Sequence, residues 1–271
     1  MKKTILLILA VAAFLNVNAQ KLPNTQQISL RAPANVKIDG KLTEWRNKFE
    51  AYNAPTDLFY TLANDDLNLY LIIRADKPRT IEKIVAVGVT FTVNKSGNKD
   101  KKAGEKASIT FPLLDIATGY SIIKAAGIKT DNIPNDQLRA SRIIPTPREA
   151  DSLKSVANKF LKNASKSIKI TGFTGMPDTL SIYNEHNIMT GLDYDQNGRF
   201  TYELQVPLKL LGISAKQATS FTYSIKLRSR LEDKKPGTLI VSKWDKDGNT
   251  INPNLDLDAT TDFWAEYTLA K

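Results

Sequence analysis

Strict alternation of apolar and polar residues, repeated along the chain, most narrows the folds open to it. Within 84–93, Val85, Val87, Val89, Phe91 and Val93 fall on one side of an extended segment, with Ala86, Gly88, Thr90 and Thr92 on the other. Within 199–206, Phe200, Tyr202, Leu204 and Val206 alternate with Arg199, Thr201, Glu203 and Gln205. Phe221, Tyr223, Ile225 and Leu227 repeat the pattern within 221–230, against Lys226, Arg228 and Arg230. Phe263, Ala265, Tyr267 and Leu269 do so within 262–270. Side chains of a strand point alternately to its two faces, so a period of two marks a sheet with one buried face. Several such strands separated by turn signals predict an antiparallel sandwich.

One stretch has a different period. Thr146-Pro147-Arg148-Glu149 is a capping box with proline at the first helical position. Leu153, Val156, Ala157, Phe160, Leu161 and Ala164 follow at helical spacing, with Lys154, Lys159 and Lys162 on the wet side. The pattern predicts an amphipathic helix over 147–164, lying in an insertion at about 115–165. The first part of that insertion carries Pro134 and Pro145 and reads mostly as loop. The expected fold class is all-β, an antiparallel β-sandwich with one inserted amphipathic helix.

Residues 1–19 read as a secretory signal peptide. Lys2 and Lys3 precede an apolar run from Ile5 to Leu15, and Val17-Asn18-Ala19 offers a small-residue cleavage site before Gln20. That run is shorter than the roughly 18 apolar residues a membrane span needs, and no later stretch approaches that length. The remaining 20–271 shows no repeat and no change of composition, and reads as a single domain. The chain has no cysteine, which excludes disulfides, thiolate metal sites and a cysteine-linked lipid anchor. The product is expected in the periplasm or outside the cell, and not as a lipoprotein. The leader resembles those of Bacteroidota.

The formal charge is +10, and subtracting Lys2 and Lys3 leaves +8 on 20–271. The densest basic run, Lys95, Lys99, Lys101, Lys102 and Lys106, is mixed with Gly97, Asp100, Gly104 and Glu105. This composition suits a solvated loop between strands. It lacks the aromatic–basic interleaving that stacks on single strands, so nucleic acid is not an expected partner.

Two segments near the front carry a family resemblance. IDGKLTEW at 38–45 leads an extended entry (Val36, Ile38) through an Asp39-Gly40 turn to Trp45, which suits a core position. ANDDLNLYLIIRAD at 63–76 places an acidic turn, Asp65-Asp66, before a strand holding Leu69 to Ile73. Further on, Glu203, Val206, Pro207, Leu211 and Gly212 form an E-x-x-[IV]-P-x-x-x-L-G strand end. These segments resemble the family 9 carbohydrate-binding modules and their DOMON-like relatives. The likeness covers most of 35–112 and 166–270, with 115–165 as a departure. It implies a β-sandwich that binds a ligand, carbohydrate above all, without turning it over.

Candidate ligand contacts follow from residue type. Tyr183, Asn184, Glu185, His186 and Asn187 form a polar loop with one flat ring and several hydrogen-bonding groups, of the kind that line small polar sites. Trp244 precedes the turn at Asp247-Gly248. It is either a stacking platform for a sugar or a half-buried strand residue. Arg228, His186 and Asn187 are the expected donors. His186 is the only histidine, and no G-x-S-x-G elbow accompanies it. No carboxylate pair is singled out either, so the expectation is no enzyme. Haem held between His186 and Met176 or Met189 is an alternative that the sandwich relatives imply. Docking of an envelope protein on the 115–165 insertion is another.

Asp193-Tyr194-Asp195-Gln196-Asn197-Gly198 imitates the first half of a calcium loop, but Leu204 stands where a bidentate glutamate belongs. Asn197-Gly198 between two alternating runs is a hairpin signal. Asp245-Lys246-Asp247-Gly248 carries the same ambiguity. No metal ligand is assigned, and a structural calcium ion stays open.

Overall fold

The computed structural model describes residues 21–94, 104–127, 147–195, 197–217, 219–232, 243–244, 247, 250–251 and 255–271. Residues 1–20, which include the expected signal peptide, therefore lie outside the described residues. Two antiparallel sheets face each other. In chain order the strands are β1 (Ala51–Asn53), β2 (Leu58–Asn64), β3 (Asn68–Ala75), β4 (Val89–Asn94), β5 (Lys106–Phe111), β6 (Ser167–Thr171), β7 (Thr179–Ser181), β8 (Met189–Tyr194), β9 (Phe200–Pro207), β10 (Ser220–Leu227), β11 (Lys243–Trp244), β12 (Thr250–Ile251) and β13 (Thr261–Thr268). The first sheet runs β1-β2-β3-β9-β8 and the second β13-β10-β4-β5-β6-β7, while β11 and β12 pair separately. The fold is an all-β sandwich with helices inserted.

The alternating apolar positions meet between the sheets. Tyr202, Leu204 and Val206 of β9 and Leu69, Leu71 and Ile73 of β3 face Phe91, Ile109, Tyr223 and Ile225 of the other sheet in one core. Two tyrosines satisfy each other inside it, with the Tyr60 and Tyr223 hydroxyls 3.0 Å apart.

A second, smaller core explains why β3 is apolar on both faces. Tyr70 and Ile72 point outward and are covered by Leu42, Trp45 and Phe49 of the N-terminal segment. Trp45 is buried as expected. The acidic turn is held by Asp65, whose Oδ1 accepts from the Leu67 and Asn68 N–H groups and whose Oδ2 accepts from the Tyr70 hydroxyl at 2.7 Å. That accounts for the spacing between the Asp65-Asp66 turn and Tyr70.

The extended reading of 84–93 holds only from Val89 onward. Residues Pro78–Val87 form helix α1, where Ile81, Ile84 and Val85 bury one face at i, i+3 and i+4. Pro78 starts the helix, and Gly88 ends it with φ 79. A Cβ on Gly88 would lie 2.5 Å from the Pro112 carbonyl oxygen. The valines at 85 and 87 fit both periods, and tertiary packing selected the helix. The insertion also holds more helix than expected. Asp115 caps α2 (Ile116–Ala125) by accepting from the Thr118 N–H at 2.9 Å. Helix α3, Pro147–Ala164, forms where the sequence predicts it; α4 is a single turn, Leu255–Asp258. Thr146 and the prolines at 134 and 145 lie outside the described residues.

Val89 pairs with Phe111, so α1, which leads into β4, and α2, which follows β5, lie at the same end of the sandwich. They pack on each other, α2 packs on α3, and α3 packs on β8. Among the described residues no helix is long and apolar enough to cross a membrane.

Candidate functional site

The motif residues that carry the family likeness converge on one buried carboxylate. Glu203 sits on the outer face of β9, 1 % exposed, because the N-terminal segment covers it. Its Oε2 accepts from the Asp39 N–H at 3.0 Å and the Gly40 N–H at 2.8 Å, and its Oε1 accepts from the Trp45 indole at 3.0 Å. Burial pushes its pKa up to about 7 against the pull of those three donors. Gly191, the cross-strand neighbour of Glu203, makes room for the turn. A Cβ there would stand 2.5 Å from the Gly40 nitrogen. The Thr201 hydroxyl closes the clamp by donating to the Gly40 carbonyl. The Glu203 carboxylate and its three donors are used internally, which makes this clamp scaffold.

Beside the clamp the polar groups are not used up. A cavity of about 230 Å³ opens between the edge strands β7 and β8 under the C-terminal end of α3. Ile38 and Asp39 of the clamp form one wall, and Phe111 and Leu161 form its apolar floor. Ser165, Lys162, Lys166, Tyr183 and Thr190 supply the polar lining. Ser165 is 3 % exposed, and neither its hydroxyl nor that of Thr190 has a hydrogen-bond partner among the described residues. A buried hydroxyl without a partner costs about 1–3 kcal/mol, so two on one cavity need an explanation. The Tyr183 ring stands at the mouth, 80 % exposed, with the Lys166 ammonium 5.6 Å from its centroid.

The cavity continues along α3 into a groove of about 700 Å³, with Lys162 lining both. Lys41, Lys154, Lys159, Asp151, Asn158 and Asp193 face this groove. Asn158 seals the free edge of β8: its amide donates to the Tyr194 carbonyl at 3.1 Å and accepts from the Tyr194 N–H at 2.8 Å. The side chain thus takes the place of a missing strand. Burial pushes Asp193 up to about 6 in spite of Lys162 and Lys41 nearby.

Of the residues the sequence nominates, Tyr183 alone lines this cavity. The loop around it is tied by Asn184, whose Oδ1 accepts from the His186 and Ile188 N–H groups. His186 is half-buried on that loop, and Asn187, at φ 59, lines a separate hollow beside Pro207 and Ser214. Arg228 is 8 % exposed on the strand end of β10, donating to the Val87 carbonyl and pairing with Glu232 at 3.3 Å. Four strand steps separate β10 from β7, roughly 19 Å. Arg228 therefore belongs to the packing of the opposite edge, not to the Tyr183 cavity. Trp244 lies on β11, paired with Thr250, and its side chain is outside the described residues.

The 193–198 turn is a hairpin. The Gly198 N–H donates to the Asp195 carbonyl, and the Asp195 carboxylate takes the Asn197 and Arg199 N–H groups and the Arg199 guanidinium at 2.6 Å. Asp245, Lys246 and Gly248 lie outside the described residues. Among the described residues no cluster of acids and histidine has the geometry to hold a metal ion. Trp264 points away from the core, with Lys106 at 5.6 Å from its ring.

Ser165, Lys166 and Thr190 were not legible as site residues. The sequence pattern places Lys162 only on the wet face of a helix. Besides Tyr183, the two lysines at 162 and 166 across a helix end are a trace of the site in the sequence. No protein-family model matches the chain, and no curated protein does.

Proposed function

We propose that this chain is an exported, non-catalytic binding module of the family 9 carbohydrate-binding-module kind, taking a polar ligand in the cavity between β7, β8 and α3. The observation that carries the reading is the pair of buried, unpartnered hydroxyls, Ser165 and Thr190, on a cavity whose mouth holds an exposed tyrosine ring. Both hydroxyl oxygens are closed to solvent as the side chains stand, so a bound sugar would reach them through a small shift of the cavity lining, and its C–H face would meet the ring of Tyr183. Trp244 on its separate hairpin stays outside this proposal.

Titration calorimetry of the protein against a panel of oligosaccharides tests it, with Tyr183→Ala as the control. Saturable heat that weakens in the variant supports the reading. No heat with any glycan, charged or neutral, contradicts it.

A second reading, docking of an envelope protein on the insertion, draws on one observation. Leu153, Val156 and Phe160 stand 37 %, 43 % and 55 % exposed along the outward side of α3. It requires that Phe160→Asp abolish capture of a defined envelope partner while glycan binding persists. Retention of that partner by the variant would remove it.

A further inference from the structure

We propose that the ligand of this cleft is an anionic glycan, whose acidic groups are held by Lys162 and Lys166 and further along the groove by Lys41, Lys154 and Lys159. This rests on the ligand-binding reading above and goes beyond it by naming the class of ligand.

The argument begins with which cations are paired. Arg31, Arg74, Lys77, Arg199 and Arg230 each meet a carboxylate within 3 Å. Lys41, Lys154, Lys159 and Lys162, which line the groove, and Lys166 at its mouth have no such ion pair among the described residues. Lys162 follows Lys159 by three residues, a spacing at which like charges on a helix surface repel, and Lys166 lies two residues past the helix end. The helix dipole favours a lysine in the last turn of α3, where Lys162 sits. It gives no reason for Lys41, which reaches the same groove from the loop of the Asp39 clamp. Unpaired cations brought together from two elements raise the local concentration of an anion.

The acids in the same groove narrow the class. Asp39, Asp151 and Asp193 stand among the lysines. They would repel a regular array of backbone phosphates, and one exposed ring is a poor platform for successive bases. A carboxylated or sulfated sugar suits the mixture better. Its hydroxyls donate to Asp39 and Asp193 and exchange bonds with Ser165, Thr190 and Asn163. Its acidic groups meet the ammonium groups in charge-assisted bonds. From Lys154 to the end of α3 the groove runs about 15 Å, which suits an oligosaccharide rather than one sugar ring.

The experiment is calorimetric titration of the protein with polygalacturonate oligosaccharides, sulfated heparin oligosaccharides, a neutral cello-oligosaccharide and a DNA duplex, at low and high salt. The Lys162→Gln/Lys166→Gln double variant is run beside the parent, with circular dichroism to confirm that it folds. The proposal requires at least one acidic glycan to bind with an affinity that falls with salt and drops about tenfold or more in the double variant. The carboxylated and sulfated arms separate the two sources of charge. Neutral glycan binding as tightly as the acidic ones, unchanged in the variant, overturns this inference and leaves the ligand-binding reading intact. DNA binding more tightly than every glycan also overturns it. No binding of any glycan overturns both.

Discussion

Two sites one residue apart on β8 treat polar groups in opposite ways. Gly191 faces outward opposite Glu203, where a buried carboxylate takes three N–H donors and leaves none of them unpaired. Thr190 faces the other side of the same strand, where its hydroxyl and that of Ser165 are buried with no partner among the described residues. The first arrangement holds the chain together. The second lowers stability, and under the proposed function a bound ligand offsets that cost. The contrast separates residues that hold the scaffold together from residues that the proposed function assigns to a ligand.

Breaking the clamp should produce the largest effect. Glu203→Ala leaves the Asp39, Gly40 and Trp45 donors buried without an acceptor and is expected to cost about 3 kcal/mol or more. Urea denaturation measures it, and a loss within the error of the method would mean that the clamp is dispensable. Gly191→Ala is next, at about 2 kcal/mol, because the new methyl would press on the Gly40 and Asp39 backbone. A comparable effect is in the pH profile. Burial raises Glu203 from 4.5 to about 7, so across that interval the folded chain keeps a proton the unfolded chain releases. Stability therefore falls as pH rises through that window, and Asp193, raised to about 6, adds to the fall in its lower part. A Glu203→Gln variant should show a flatter profile, and an unchanged one would assign the slope elsewhere. Tyr183→Ala, at an exposed ring, should leave the unfolding midpoint within about 0.5 kcal/mol of the parent.

Most of the scaffold was readable because it obeys a period. The strands over 199–206, 221–230 and 262–270 have one face each in the core, and their spacing says so; of the apolar stripe expected on the helix over 147–164, Ala157 and Leu161 are buried while Leu153, Val156 and Phe160 stay exposed. Residues 84–88 misled because Val85 and Val87 satisfy a strand period as well as a helical one, and only the packing of α1 decides between them. Glu203 was read as part of a polar reverse face. It is buried because residues from 22 to 49 fold over that face, an event that leaves no mark on the local pattern around β9. Of the cavity only Tyr183 was found, since a lone aromatic in a polar loop is conspicuous. Ser165 follows the last residue of α3 and Thr190 lies on β8. They meet only because the helix packs on the sheet edge, and a serine and a threonine give no warning of that.

The central claim is that these two hydroxyls are kept for a ligand, and the most direct measurement pairs stability with affinity in Ser165→Ala. Removing a buried hydroxyl that has no partner should leave the unfolding midpoint unchanged or raise it, while affinity for the acidic oligosaccharide falls. A destabilised variant that binds as well as the parent would contradict the claim, because the hydroxyl would then be supporting the fold and not the ligand.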